Sequence, residues 1–167
     1  WAVTAILALG VGGQVLRGVA WTAPDGAPTS VALLQGDIPQ DMKWQPEKTR
    51  STLESYARMA AASPAQLIVL PETALPVFES DLPNFYRDGL MSLGQKNGGD
   101  VLTGLPTGSP QGTYYNSVIS FGRAASQHYH KVHLVPFGEY IPLKTVWGWV
   151  IQVLHIPLSD FARGAID

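Results

Sequence analysis

Apolar positions along the chain fall into distinct regimes. From Trp1 to Leu16 no charge occurs, and Ala, Val, Leu and Gly dominate until Arg17. From Val31 to Leu105, short apolar runs alternate with segments whose apolar residues recur at helical spacing. The most sharply bounded run is Leu67-Ile68-Val69-Leu70, followed at once by Pro71-Glu72-Thr73. Four consecutive apolar residues, two of them β-branched, predict a strand buried on both faces. Pro71 has no N–H for a ladder, so pairing ends there. Glu72 is thereby set at the carboxyl edge of a buried strand, where open α/β sheets keep their ligand crevices. A turn-forming or helix-capping acid is the plainer alternative.

The same rhythm extends to both sides. Val31-Ala32-Leu33-Leu34-Gln35 predicts a first strand. Pro46 opens a helix reaching about Ala62, with Leu53, Tyr56, Ala57 and Ala60 on one face and Ser63-Pro64 as its stop. Asp81 and Pro83 start a second helix with the stripe Tyr86, Leu90, Leu93, ended by Asn97-Gly98-Gly99. Asp100 to Leu105 is a third strand. Tyr115 to Phe121, a turn at Gly122-Arg123-Ala124, and Gln127 to His130 read as an antiparallel hairpin. An alternating front with a hairpin behind it is an α/β fold with a mixed sheet.

The two ends differ from this middle. Trp1–Leu16 is too short to span a bilayer, which takes ~20 apolar residues. It suits the end of a membrane helix with Trp1 and Trp21 at interfacial depth, a signal-peptide core, or a buried helix. Thr22 to Pro28 is a linker by composition. The stretch from Leu143 to Phe161 carries Val146, Trp147, Trp149, Val150, Ile151, Val153, Leu154 and Ile156 with one lysine. It either packs into a core or lies on a membrane interface. The division expected is 1–21 partial transmembrane helix, 22–30 linker, and 31–167 an incomplete enzyme domain. With no initial Met, the sequence reads as a piece of a longer chain.

Composition narrows the function. Apolar residues are 46% and charged ones 14%, an apolar balance for a free-standing domain. A net charge of −2 with eleven scattered Lys and Arg offers no basic field, which argues against nucleic acid. With no cysteine in the sequence, disulfides, thiolate metal sites and a cysteine nucleophile are excluded within these residues. His128, His130 and His133 lack a carboxylate or cysteine at metal-ligand spacing, so packed or surface histidines are expected and no metal. No cofactor is expected either. Lys131, just past the hairpin, and Glu139, between Gly138 and Tyr140, complete the candidate chemistry.

Certain words of the sequence are similar to a known family. They are Val31 to Gln40 (VALLQGDIPQ), Lys43-Trp44, Leu70-Pro71-Glu72-Thr73-Ala74, Thr103-Gly104, Tyr115-Asn116-Ser117, His133 to Pro142 (HLVPFGEYIP), and Asp160 to Gly164 (DFARG). Together they resemble the carbon–nitrogen hydrolase, or nitrilase, superfamily and, within it, the apolipoprotein N-acyltransferase family. The resemblance implies a nitrilase-like αββα sandwich, truncated here, preceded by the end of a transmembrane helix and facing the periplasm from the bacterial inner membrane. It implies Glu72 as general base, Lys131 as stabilising cation and Glu139 as a supporting acid. Trp44, Tyr115 and Asn116 would meet substrate. The partners implied are a phospholipid acyl donor, an apolipoprotein acceptor with an N-terminal diacylglyceryl-cysteine, and the membrane. The family's cysteine nucleophile would follow Arg163-Gly164, outside these residues, so this chain alone would be inactive. A soluble amidase or nitrilase and a non-catalytic binding module are the rival readings.

Overall fold

The computed structural model describes residues 1–39, 42–109, 111–136, 138–140 and 161–165. Expectations for Gln40, Phe137, Ile141, Pro142 and the apolar stretch to Asp160 lie outside them. Helix α1 (Ala2–Arg17) is followed by β1 (Val31–Leu33), α2 (Pro46–Ala61), β2 (Leu67–Val69), α3 (Asn84–Lys96), β3 (Asp100–Gly108), β4 (Tyr114–Gly122) and β5 (His128–His130). The five strands form one sheet in sequence order. β1, β2 and β3 are parallel, and β4 and β5 add antiparallel. This is the mixed sheet that the alternating front and the hairpin predict.

β3 runs past its expected end at Leu105 to Gly108, because β4 pairs with it along its whole length, from Asp100↔Gly122 to Gly108↔Tyr114. Pro106 is tolerated there because β2 stops at Val69, so this part of β3 pairs only with β4 among the described strands. Alternation then sorts the side chains. Val101, Leu105, Ile119 and Phe121 point to one face and are buried against Leu53, Tyr56 and Ala60 of α2 and Tyr86 and Leu90 of α3. The α3 stripe includes a residue the pattern did not single out, Gly94. A Cβ there would lie 2.6 Å from the Phe121 carbonyl oxygen, so only glycine lets the helix approach β4 so closely.

The opposite face of the sheet is apolar but bare among the described residues. Val31 is 51% exposed, Leu33 77% and Tyr129 56%. The described residues therefore make two layers, helices on one side of a sheet, rather than all four layers of an αββα sandwich. In α1 no residue is buried. Its 16 residues extend about 24 Å at 1.5 Å per residue, short of a ~30 Å hydrocarbon core. No helix among the described residues is long and apolar enough to cross a membrane.

Candidate active site

The last hydrogen bond on the β3 side of β2 runs from the Leu70 N–H to the Leu102 carbonyl, 2.9 Å, and the chain then turns. The Ala74 N–H closes the turn on the Pro71 carbonyl at 3.2 Å, and the Leu75 N–H reaches Gly104 of β3 at 3.1 Å. Thr73, third of the four turn residues, has φ of +48°, a left-handed conformation that costs a β-branched residue on the order of 1–3 kcal/mol. Gly104 makes the turn possible. A Cβ there would lie 2.5 Å from the Thr73 nitrogen and 2.9 Å from the Glu72 Cα. The Thr103-Gly104 word thus records a close backbone crossing under Glu72.

Lys131 arrives from the other side of the sheet. It directly follows β5, and its N–H bonds the Asn116 carbonyl at 2.8 Å. Its Nζ lies 2.8 Å from Glu72 Oε1 and 2.9 Å from Glu139 Oε2, so one ammonium bridges two carboxylates. The Asn116 amide nitrogen donates to both acids as well, to Glu139 Oε1 at 2.8 Å and to Glu72 Oε1. Glu139 accepts a further bond from the Val135 N–H at 2.8 Å. Phe161–Gly164 fastens these pieces together. The Phe161 N–H bonds the Glu139 carbonyl, the Ala162 N–H that of Tyr114, and the Gly164 N–H that of Lys131, at 3.0, 2.8 and 3.1 Å.

The electrostatics follow from these contacts. Burial alone would lower the Lys131 pKa, but hydrogen bonds and charge from Glu72 and Glu139 outweigh it, and the net direction is upward. For Glu139, burial alone would raise the pKa. The Lys131 ammonium, the Val135 N–H and the Asn116 amide prevail and hold it below the ordinary carboxylate value. Both are thus fixed in their charged forms at neutral pH. Glu72 is not sealed in an apolar crevice, since its side chain is 57% exposed, against 14% for Glu139.

A cavity of about 340 Å³ opens here, lined by Lys43, Trp44, Thr73, Phe161 and the four polar residues of the cluster. Trp44, one of the three residues expected to meet substrate, is 49% exposed and lines it. Of the other two expected contacts, Asn116 also lines this cavity and Tyr115 does not. Asn116 gives its amide to the two carboxylates, and Tyr115, on the opposite face of β4, stacks on His130 with ring centroids 4.5 Å apart. Neighbouring residues account for His128 and His130. His130 Nδ1 bonds Ser117 at 2.8 Å and His128 pairs with Glu79 at 3.1 Å, and no metal-binding cluster occurs among the described residues. Sequence reasoning missed Lys43 as a site residue. Its Nζ donates to the Glu72 carbonyl at 3.0 Å across 29 residues of sequence, and its place beside Trp44 was the available signal.

Comparison with known proteins identifies the family. The apolipoprotein N-acyltransferase of Nitrosomonas europaea is 50% identical over 153 residues, covering 91% of this chain and 31% of that protein. That of Chromobacterium violaceum is 42% identical over 166 residues, covering 99% of this chain and 32% of that protein. The chain spans about a third of the length of these curated relatives. The crystal structure of a carbon–nitrogen hydrolase from Helicobacter pylori shares the fold, with a TM-score of 0.50 at 18% identity over 83% of this chain and 45% of that one. Residues 30–147 match the carbon-nitrogen hydrolase family, and the chain belongs to it.

Proposed function

We propose that this chain carries the acid–base part of an apolipoprotein N-acyltransferase. The observation that carries the reading is the ammonium of Lys131 held between Glu72 and Glu139 at a cavity flanked by Trp44. The names of relatives at 50% and 42% identity support the substrate class. The sequence holds no cysteine, so the nucleophile in this reading belongs to the protein outside these 167 residues.

In the first half-reaction Glu72 takes the proton of the cysteine thiol, and the thiolate attacks an ester carbonyl of a phospholipid. The sulfur–carbon bond forms as the ester carbon–oxygen bond breaks, and the leaving alkoxide takes the proton back from Glu72. In the second half the α-amine of a lipoprotein's diacylglyceryl-cysteine attacks the thioester. Glu72 accepts the amine proton, and the thiolate is released and reprotonated. Negative charge develops on the carbonyl oxygen in both halves. Lys131, kept protonated and in place by Glu139, lies near it, a role worth several kcal/mol in a fixed donor. Asn116 orients the two acids, and Trp44 contacts the acyl donor. Tyr115 acts on the substrate only through β4, which it helps to fix.

The same reading places the domain, residues 31–167, on the outer side of the bacterial inner membrane, with 1–21 as the end of a membrane helix and 22–30 as its linker. The test is acyl transfer from phospholipid to a diacylglyceryl-cysteine peptide by the full-length protein. Glu72→Gln and Lys131→Met should each slow formation of the acyl-thioester at least about 100-fold. Thioester formation at the normal rate by either variant rejects the assignment.

A further inference from the structure

Glu72 is held in place from below and above. Gly104 supplies the floor, since no side chain fits between β3 and the Glu72 turn. From above comes Lys43, whose Nζ bonds the Glu72 carbonyl oxygen, not the carboxylate. This contact joins a loop before α2 to a turn after β2, and it falls next to the left-handed Thr73. A turn strained at Thr73 persists only where its surroundings over-determine it. Lys43 is partly buried, and burial lowers its pKa against the opposing pull of the Glu72 charge. With its bond directed to a backbone carbonyl, the ammonium fixes the peptide plane that follows Glu72.

We infer that Lys43 is a positioning residue for the general base: it locks the Pro71–Ala74 turn so that the Glu72 carboxylate faces the reacting thiol. The inference rests on the reading of Glu72 as base. It also explains why Lys43 and Trp44 are adjacent at the same cavity. The loop that meets the substrate through Trp44 also fixes the base through Lys43.

The test uses the full-length protein with Lys43→Met, Lys43→Arg and Glu72→Gln, comparing acyl transfer, the rate of cysteine alkylation, and thermal unfolding. Lys43→Met should lower kcat and the alkylation rate about 10- to 100-fold with KM for the phospholipid within twofold. Lys43→Arg should recover most of both, because a guanidinium also reaches the carbonyl. A kcat within twofold of wild type in Lys43→Met overturns the inference, as does a loss confined to KM, which would make Lys43 a donor contact. Should Lys43→Met not fold, Lys43→Arg and Lys43→Gln decide it, wild-type kcat in Lys43→Gln being the overturning result. Glu72→Gln keeps the two readings apart. If that variant stays active, the base assignment fails; if it is dead while Lys43→Met is normal, only the role of Lys43 fails.

Discussion

Two acids meet the same ammonium in very different settings, one on the turn after β2 and one on the segment at Val135–Tyr140. Glu139 is 14% exposed and accepts from Lys131, Asn116 and the Val135 N–H, while its own N–H and carbonyl are bonded to Val135 and Phe161. The Glu72 side chain is 57% exposed, and its carboxylate accepts from Lys131 and Asn116 among the described residues. Satisfied on every side, Glu139 gains little from a proton and serves as a fixed counter-charge. Glu72 has fewer donors and an exposed carboxylate that a reacting group can approach to hydrogen-bond distance. The residue type is the same; the number of donors and the exposure separate the roles.

Glu72→Gln is the strongest challenge to that division. In the full-length protein it should lower kcat/KM about 10²- to 10⁴-fold, the range for a general base, while unfolding stability moves by less than about 0.5 kcal/mol at so exposed a site. Steady-state kinetics and thermal unfolding on the same preparation would check it. A large stability loss with little kinetic effect would reverse the two assignments.

Glu139→Gln should show the opposite balance. It leaves the Lys131 ammonium with one carboxylate and costs on the order of 1–3 kcal/mol in stability, with kcat reduced about tenfold through a less well held lysine. Gly104→Ala attacks the floor of the other acid. Its Cβ would press on backbone atoms that cannot swing aside, so a cost of about 1–3 kcal/mol and a displaced Glu72 are expected. A crystal structure of Gly104→Ala with the Glu72 turn unmoved would remove the argument for backbone control.

Much of this arrangement was legible from the sequence, and the reasons are local. An apolar run ended by Pro71 gave β2 and put Glu72 at its tip. Helical spacing gave α2 and α3, and the alternation around Gly122 gave the hairpin that delivers Lys131. What stayed hidden depends on contacts between distant residues. Asn116 meets Glu72 across 44 positions and Lys43 meets it across 29, and no periodicity encodes either pairing. The left-handed Thr73 was hidden too, because a β-branched residue is the type least expected there. Tyr115 misled for a simpler reason. Adjacent residues on a strand face opposite ways, so Tyr115 and Asn116 could not both reach the site.

The smallest expected effect is in the pH dependence of stability, and it tests the comparison from the side of Glu139 and Lys131. Glu139 has a folded pKa depressed below its ordinary value of 4.5, so its stabilisation is present above that value and is lost as pH falls through the lower folded value. Lys131 has a folded pKa raised above its ordinary 10.5, so its contribution is complete below 10.5 and is lost as pH rises through the higher folded value. Between these limits the bridge should leave stability flat. Unfolding free energy measured from pH 3 to 11 should therefore decline at both ends, and Glu139→Gln should flatten the acid decline. If the acid decline persists unchanged in Glu139→Gln, the depressed carboxylate is elsewhere, and exposure alone would have to distinguish Glu139 from Glu72.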